Sequence, residues 1–442
     1  MRATADNYII PREGFLVPPA KRESLYEYLL ACRGRIAAVR GDYAAFLTPA
    51  GDTYAETPMS ALLRDVERLA AFLAARGLRG GDVVTAALPV CGQLVALLLA
   101  ANKLGLVLHP VPPGRACEAL LGDLRRTGSR MLFFPAAERE RLRAAAAQVL
   151  SVVCSESDYG AGEAEPTPPV GPYTRYADII GQPLPPVRTV QGNGTADAVL
   201  LQSETDETRL VRLSSYACSL KAYQYYLTDL PHDTRKDHAL CVLPCSDGPG
   251  FAALFYAVCS GFQPILLPRF DPLRVSAVMR RFRVAELRAA PALLRALFAA
   301  PEFKSDGLRH LRMLFCTGGG LGADEIRRFD ETLAACGSVA RVCLGYGKTE
   351  TAGAVTSCCW QHFKPGTVGF PLAGVRIQIL DARGRALPRG VVGEIAVAGE
   401  GLLSGWLADD GAVPADPAGV CRFCTGDRGF LDEEGYLVRE NA

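Results

Sequence analysis

The 442-residue sequence lacks any charge imbalance: Lys+Arg 48 stand against Asp+Glu 47, a formal net charge of +1. A domain that held nucleic acid through its overall field would be far more basic, so no nucleic-acid partner is expected. Long hydrophobic runs are missing too. The longest, Leu94 to Ala101, is too short to span a bilayer and is closed by Lys103, so no membrane span is expected. The start, MRATADNYIIPREGF, has no basic stretch followed by an apolar core and predicts no secretory signal. Histidine is scarce, 5 in all, and none falls in an HExxH pattern. No Gly-x-Ser-x-Gly elbow supports a hydrolase, and there is no internal repeat or low-complexity tract.

What is present is a globular composition, 49% hydrophobic and 21% charged. The length exceeds one ordinary core and predicts two or three packed units. Fifteen cysteines are scattered, most in apolar company such as Cys218, Cys241, Cys259 and Cys343, where a reduced thiol packs as a small hydrophobe. A cytoplasmic protein is expected. Cys421-x-x-Cys424 has the spacing of a metal or redox pair, but no second pair accompanies it.

Apolar periodicity alternates between helix and strand through most of the chain. Thr57-Pro58 is expected to open a helix carrying Leu62, Val66, Leu69 and Leu73, stopped at Gly77. Val83–Leu88 and Leu106–Val111 predict strands, with an apolar helix over Gly92–Leu104 between them. Residues 155–193 are rich in Pro, Gly and acid and predict an irregular surface connection. From Ala198 the alternation resumes, and from Gly374 it changes to short strands of period two. The fold class expected is α/β: two layered α/β subdomains with mainly parallel sheets (1–195 and 196–372), plus a small C-terminal antiparallel β-barrel-like subdomain (373–442).

Three stretches could carry chemistry. Cys316-Thr-Gly-Gly-Gly-Leu-Gly322 follows a predicted strand and precedes a helix opening near Asp324. Gly318, Gly319 and Gly320 would let a ligand approach the backbone, or would simply make a tight turn. In Leu344-Gly-Tyr-Gly-Lys-Thr-Glu-Thr351, Tyr346 between Gly345 and Gly347 could offer a ring face to a flat ligand. Thr349 and Glu350 suit a phosphate oxygen and a magnesium ion; a plain surface loop is the alternative. In Cys424-Thr-Gly-Asp427, the aspartate could accept both hydroxyls of a ribose or close an Asx turn.

Read in order, these stretches resemble the acyl-adenylate-forming superfamily of acyl-CoA synthetases, nonribosomal peptide adenylation domains and luciferases. Tyr346-Gly-x-Thr-Glu350 is similar to its adenine-and-magnesium motif, and Lys364-Pro-Gly-Thr-Val-Gly-Phe-Pro371, Gly393-Glu-Ile395 and Thr425-Gly-Asp427 follow in the expected order. The resemblance covers nearly the whole chain from about Leu25. It implies that Tyr346 and Gly347 meet adenine, with the Gly318–Gly320 backbone lining the nucleotide. It also implies that Thr349 contacts the α-phosphate, that Glu350 holds magnesium, and that Asp427 holds the ribose. ATP and Mg2+ are the implied cofactors, a small carboxylic acid the substrate, and CoA or a carrier-protein phosphopantetheine the acceptor.

The sequence departs from that pattern at three places. Members carry a Ser/Thr/Gly-rich phosphate loop ending in Pro-Lys-Gly; here Gln202-Ser-Glu-Thr-Asp-Glu-Thr-Arg209 has no glycine. Arg209 falls where the lysine belongs, Ser203 and Thr205 keep hydroxyls, and Glu204, Asp206 and Glu207 are new acids. One carboxylate about 5 Å from a phosphate charge costs roughly 3 kcal/mol at an effective dielectric near 20. At Leu243–Phe251, Asp247 could hold a substrate amine, but a turn-capping aspartate before Gly248-Pro249 fits better. The chain ends at Val438–Ala442, about where the resemblance implies a hinge, so the family's lysine-bearing C-terminal domain is expected to be absent or on a separate chain.

The function expected is ATP-dependent activation of a carboxylic acid, with Thr349, Glu350 and Arg209 as the catalytic groups. Phe251, Ala290, Cys316, Gly345 and Ala352, small or apolar, would wall the acyl pocket and favour a fatty or aryl acid. The alternative is a catalytically impaired homologue that binds a ligand or partner. A nicotinamide-binding fold would rest on Gly318–Gly322 alone, without the Gly-x-Gly-x-x-Gly spacing.

Overall fold

The computed structural model describes residues 14–159, 173–206, 208–228, 233, 235–318, 320–407 and 421–440. At its centre is the helix Gly92–Lys103, in which every residue is buried. A helix apolar all round has no face to give to water, so it packs inside the layers. Its few polar groups are matched. Gln93 donates to the Ser155 carbonyl at 2.7 Å, and Asn102 accepts from the Tyr26 amide and donates to Ser215, both at 2.8 Å. Lys103 pairs with Glu67 at 2.9 Å.

The helix Met59–Ala75 buries Leu62, Val66, Leu69 and Leu73 as their spacing predicts. Its start differs from the expectation. Thr57 belongs to the strand Thr53–Pro58, opposite Phe46, and Pro58 takes the cap position without a side-chain bond. Pairing with the strand Ala44–Ala50 competes for Thr57 and wins.

Two large sheets are mainly parallel. One has nine strands: Phe370–Pro371, Gly353–Ser357, Val342–Lys348, Met313–Cys316, Val284–Ala289, His238–Cys241, Gln263–Leu266, Ala44–Ala50 and Thr53–Pro58, in spatial order. The other has eight: Gly405–Trp406, Leu210–Ser214, Asp197–Gln202, Val107–Pro110, Val83–Ala86, Met131–Pro135, Leu150–Cys154 and Thr174–Arg175. A small antiparallel sheet is built from Val375–Leu380, Gly393–Gly399, Arg422–Leu431 and Leu437–Arg439. The fold class is therefore the expected one.

The large sheets do not follow a cut at residue 195. The early hairpin 44–58 joins the sheet of strands 238–371 through Leu47 opposite Ile265, and strands 197–214 join the sheet that begins at Val83. Nor is 155–193 wholly irregular. Within its described residues, the helix Tyr176–Gly181 buries Tyr176, whose hydroxyl meets that of Tyr159 at 2.9 Å. Tyr159 in turn bonds Asp65 at 3.1 Å. Two aromatic anchors hold a segment whose composition reads as loop. Among the described residues, no helix is long and apolar enough to cross a membrane.

Candidate functional site

The parallel strands Val284–Ala289, Met313–Cys316 and Val342–Lys348 end side by side, Ala289 opposite Cys316 and Cys316 opposite Leu344. In open α/β sheets, the crevice beyond the carboxyl ends is where ligands bind. Here it is closed by a turn. Lys348 leads into a single helical turn, Thr349–Thr351, all three residues buried. Ala352 follows with φ 56°, the only non-glycine in the left-handed region among the described residues, and the strand Gly353–Ser357 returns antiparallel. A non-glycine in that conformation persists only where its surroundings hold it. Gly347 is required by this close pairing, because a Cβ there would lie 2.2 Å from the Gly353 carbonyl oxygen.

The hairpin is pinned from behind. On the helix Ser215–Thr228, Lys221 donates to the Ala354 carbonyl at 2.6 Å, and the Tyr225 hydroxyl accepts the Ala354 amide at 3.1 Å. Lys221 is buried, and burial alone pulls its pKa down to about 7. From another side, the helix Gly248–Cys259 abuts the turn. Asp247 caps it by accepting the Gly250 amide at 2.8 Å, and the Gly248 amide donates to Thr349 Oγ1 at 3.1 Å. Burial also raises the Asp247 carboxyl above its ordinary range. Phe251 lies on the same helix, buried in the core.

The altered loop is the tip of a hairpin, since Gln202 pairs with Leu210. Ser203 donates to Glu350 Oε1 at 2.5 Å, and Thr205 donates to the same oxygen at 2.6 Å. Glu350 Oε2 is buried with no hydrogen-bond partner among the described residues. Of the loop's acids, Asp206 faces its own turn, accepting the Thr208 amide at 2.9 Å and hydroxyl at 2.6 Å. Glu204 is an exposed residue whose carboxylate reaches the turn and accepts from Thr349 Oγ1 at 3.2 Å. Withdrawal among the cleft walls, then the charges of Asp247 and Glu350, push its carboxyl up to about 7. Glu207 lies outside the described residues. The Arg209 guanidinium lies 4.1 Å over the Trp406 ring.

Across the crevice, Tyr346 is buried and donates its hydroxyl to Asp427 Oδ2 at 2.9 Å, while Lys348 reaches that oxygen at 3.0 Å. Burial and the carboxylate together push the Tyr346 phenol well above its ordinary value. Gly345 lies against Phe315, whose ring a Cβ there would meet at 2.4 Å. On the neighbouring strand end, buried Cys316 points its thiol at the Gly318 carbonyl, 3.9 Å away, and Gly318 and Gly320 have φ 76° and 112°. Gly319 lies outside the described residues.

The structure thus joins Ser203 and Thr205 directly to Glu350, next in sequence to Thr349, joins Tyr346 to Asp427, and puts Cys316 in register beside the strand that carries Tyr346. Arg209 stacks on an aromatic face, and Asp247 serves as a helix cap. Sequence reasoning missed Trp406 and assigned no role to Lys348. Lys348 could have been found, being the one cation inside the quoted motif. Trp406 could not: it comes into place only because the edge strand Gly405–Trp406 pairs with Val211 and Arg212.

A family whose members are described as AMP-binding enzymes matches residues 35–187 and 211–407, passing over the altered loop. A feruloyl-CoA synthase from Amycolatopsis sp. is 30% identical over 404 residues, 87% of this chain and 72% of that protein. A 4-coumarate–CoA ligase-like protein of Oryza sativa subsp. japonica is 26% identical over 387 residues, 82% of this chain but only 61% of its own length. ATP-bound MatB from Rhodopseudomonas palustris shares the fold, with a TM-score of 0.74 over 91% of this chain and 77% of that one, at 23% identity. The chain belongs to the AMP-binding enzyme family, within the adenylate-forming superfamily.

Proposed function

We propose that this chain activates a carboxylic acid with ATP as an acyl-adenylate, for transfer to the thiol of CoA or of a carrier-protein phosphopantetheine. The observation that carries the proposal is the knot of Ser203, Thr205 and Glu350 beside Thr349, set across the crevice from the Tyr346–Asp427 pair. In the reaction, a carboxylate oxygen of the acid attacks the α-phosphorus, the new C–O–P linkage forms, and pyrophosphate leaves. Little covalent work falls to the protein, so positioning and charge neutralisation are its tasks. Tyr346 and Gly347 would bound the adenine, with Gly318 and Gly320 along the nucleotide edge. Asp427 would accept ribose hydroxyls once Lys348 and the Tyr346 hydroxyl yield to them. Thr349 Oγ1 would donate to an α-phosphate oxygen, and Arg209, released from Trp406, would neutralise the phosphates beyond it.

Magnesium fits the site modestly. Among the described residues no three of His, Cys, Asp and Glu cluster to hold a metal. One carboxylate suffices, however, where phosphate oxygens and water complete the shell, and the orphaned Glu350 Oε2 is such an oxygen. When bound there, magnesium would supply neutralisation of phosphate charge. The acyl pocket proposed from Phe251, Ala290, Cys316, Gly345 and Ala352 suits an aryl or fatty acid, in keeping with the names of the feruloyl and coumarate relatives.

Pyrophosphate release with magnesium-ATP across a panel of aryl and fatty acids tests the proposal. Release with one class and none without acid is expected. No release with any acid, even with the C-terminal domain of a relative supplied in trans, would sink it. One observation favours a second reading, a homologue that binds without chemistry: the groups that should meet phosphate already bond to the protein's own carboxylates.

A further inference from the structure

The loop between Gln202 and Leu210 offers nucleotide phosphates neither its hydroxyls nor its neighbour's. Both Ser203 and Thr205 are spent on Glu350 Oε1. The Thr205 and Asp206 amides are not left to cradle an anion, since both donate to Ser203 Oγ at 3.1 Å. Thr349 Oγ1, the donor proposed above for the α-phosphate, is taken by the Glu204 carboxylate at 3.2 Å. A carboxylate and a phosphate oxygen make the same demand on a hydroxyl, one donated hydrogen bond to a negative oxygen. They cannot both be met by Thr349, and their charges repel across the same few ångströms.

We infer that residues 203–206 form an autoinhibitory strap in which the Glu204 carboxylate stands in for a phosphate oxygen, so that nucleotide must displace it to bind. The inference rests on the nucleotide site proposed above. Two further features make the loop a strap rather than an open mouth. Its far end is fastened, Arg209 by the Trp406 ring and the Thr208 carbonyl by Arg126. Its near end is tied to the opposing wall, where the Gln202 amide donates to the Ser246 carbonyl at 3.0 Å. Asp247 and Glu350 add their negative charge at Glu204, and the opposing cation Lys348 is engaged with Asp427. The strap therefore guards the site with negative charge as well as with a filled donor. The family's match passes over residues 188–210, a span that includes this loop.

Calorimetry on the full chain with Glu204→Gln separates the possibilities, because the amide keeps the shape and removes the charge. Magnesium-ATP should bind the variant at least about tenfold more tightly than the native protein, as expected for removing one charge beside a phosphate. Adenosine, which has no phosphate, should bind both proteins alike. Hydrogen exchange at the Thr205 and Asp206 amides should quicken in the variant, showing that the strap has loosened without unfolding. Equal ATP affinity in the two proteins overturns the inference and leaves the nucleotide site standing. So does a gain as large for adenosine as for ATP, which would mean general opening rather than relief of phosphate competition. No binding of ATP or adenosine by either protein overturns the nucleotide reading itself, and the strap with it.

Discussion

Lys348 holds its ammonium 3.0 Å from the Asp427 carboxylate, and the two residues bring opposite sides of the crevice together. Lys348 extends the large parallel sheet, whereas Asp427 lies on the small antiparallel one. The pair therefore doubles as a clasp between sheets and as the proposed ribose acceptor, and the two roles make different predictions.

If Asp427 accepts ribose hydroxyls, Asp427→Ala should weaken ATP binding by about ten- to a hundredfold. That is the scale of one hydrogen bond to a charged group, roughly 1.5–3 kcal/mol. Lys348→Met should do the reverse in calorimetry, freeing the carboxylate for ribose. If both variants weaken ATP equally, the contact is a clasp alone and Asp427 is no ribose acceptor.

The stack of Arg209 on Trp406 is the second testable relationship, because it decides whether Arg209 is fixed before a phosphate arrives. A guanidinium over an indole is worth about 0.5–2 kcal/mol. Arg209→Lys and Trp406→Leu should each lower stability in urea. Their double variant should lose less than the sum, with a coupling near 1 kcal/mol. Strict additivity would show that the two side chains do not depend on each other.

Two glycines of the proposed nucleotide site should respond differently to alanine. At Gly347 the new Cβ would sit 2.2 Å from a backbone oxygen, which nothing short of parting the strands relieves. At Gly318 there is open space, and only the φ of 76° is unfavourable. Gly318→Ala should cost about 1 kcal/mol. Gly347→Ala should cost roughly three or more and lower the thermal midpoint by many degrees. Similar midpoints in the two variants would contradict the strand pairing described.

These contrasts also show where sequence reasoning succeeds. Strand Val375–Leu380 and the central helix were legible because period-two alternation and an unbroken apolar run are local signals. Tyr346, Thr349, Glu350 and Asp427 stood out because glycines flank them or a fixed spacing joins them. The interleaving of the sheets was not legible. Whether residues 44–58 pair with strand Gln263–Leu266 is decided by contacts across some two hundred residues, which no window of sequence contains. The direction of Glu204 was equally hidden. In a run of three acids, nothing local says that Asp206 will cap its own turn while Glu204 reaches across to Thr349. Tyr176 shows the opposite failure, a buried anchor masked by the prolines and glycines around it.

Lys221 was invisible too, because nothing in its helix says that a lysine there will be buried, and it makes the most distinctive prediction. It is the cation behind the hairpin of strands Val342–Lys348 and Gly353–Ser357, buried on the helix Ser215–Thr228, with its Nζ 2.6 Å from the Ala354 carbonyl. Burial, with no opposing charge among its causes, lowers its pKa from an ordinary 10.5 to about 7. Between those two values the unfolded chain holds a proton that the folded chain has released. Folding is then linked to proton loss, and stability contributed by this site must rise with pH through that window. Below about pH 7 the folded protein carries a buried ammonium, and the slope from this residue disappears. Lys221→Met keeps the length and apolar stem but cannot titrate, so the difference in unfolding free energy between native and variant should shift toward the native protein from pH 7 to pH 9.5. Holding the comparison below about pH 10 keeps the tyrosines, many of them buried, from adding their own slope. Urea denaturation at half-unit intervals would read it directly. If the two proteins keep a constant difference across that range, Lys221 is charged in the folded state, and the hairpin behind which it sits must be open to water.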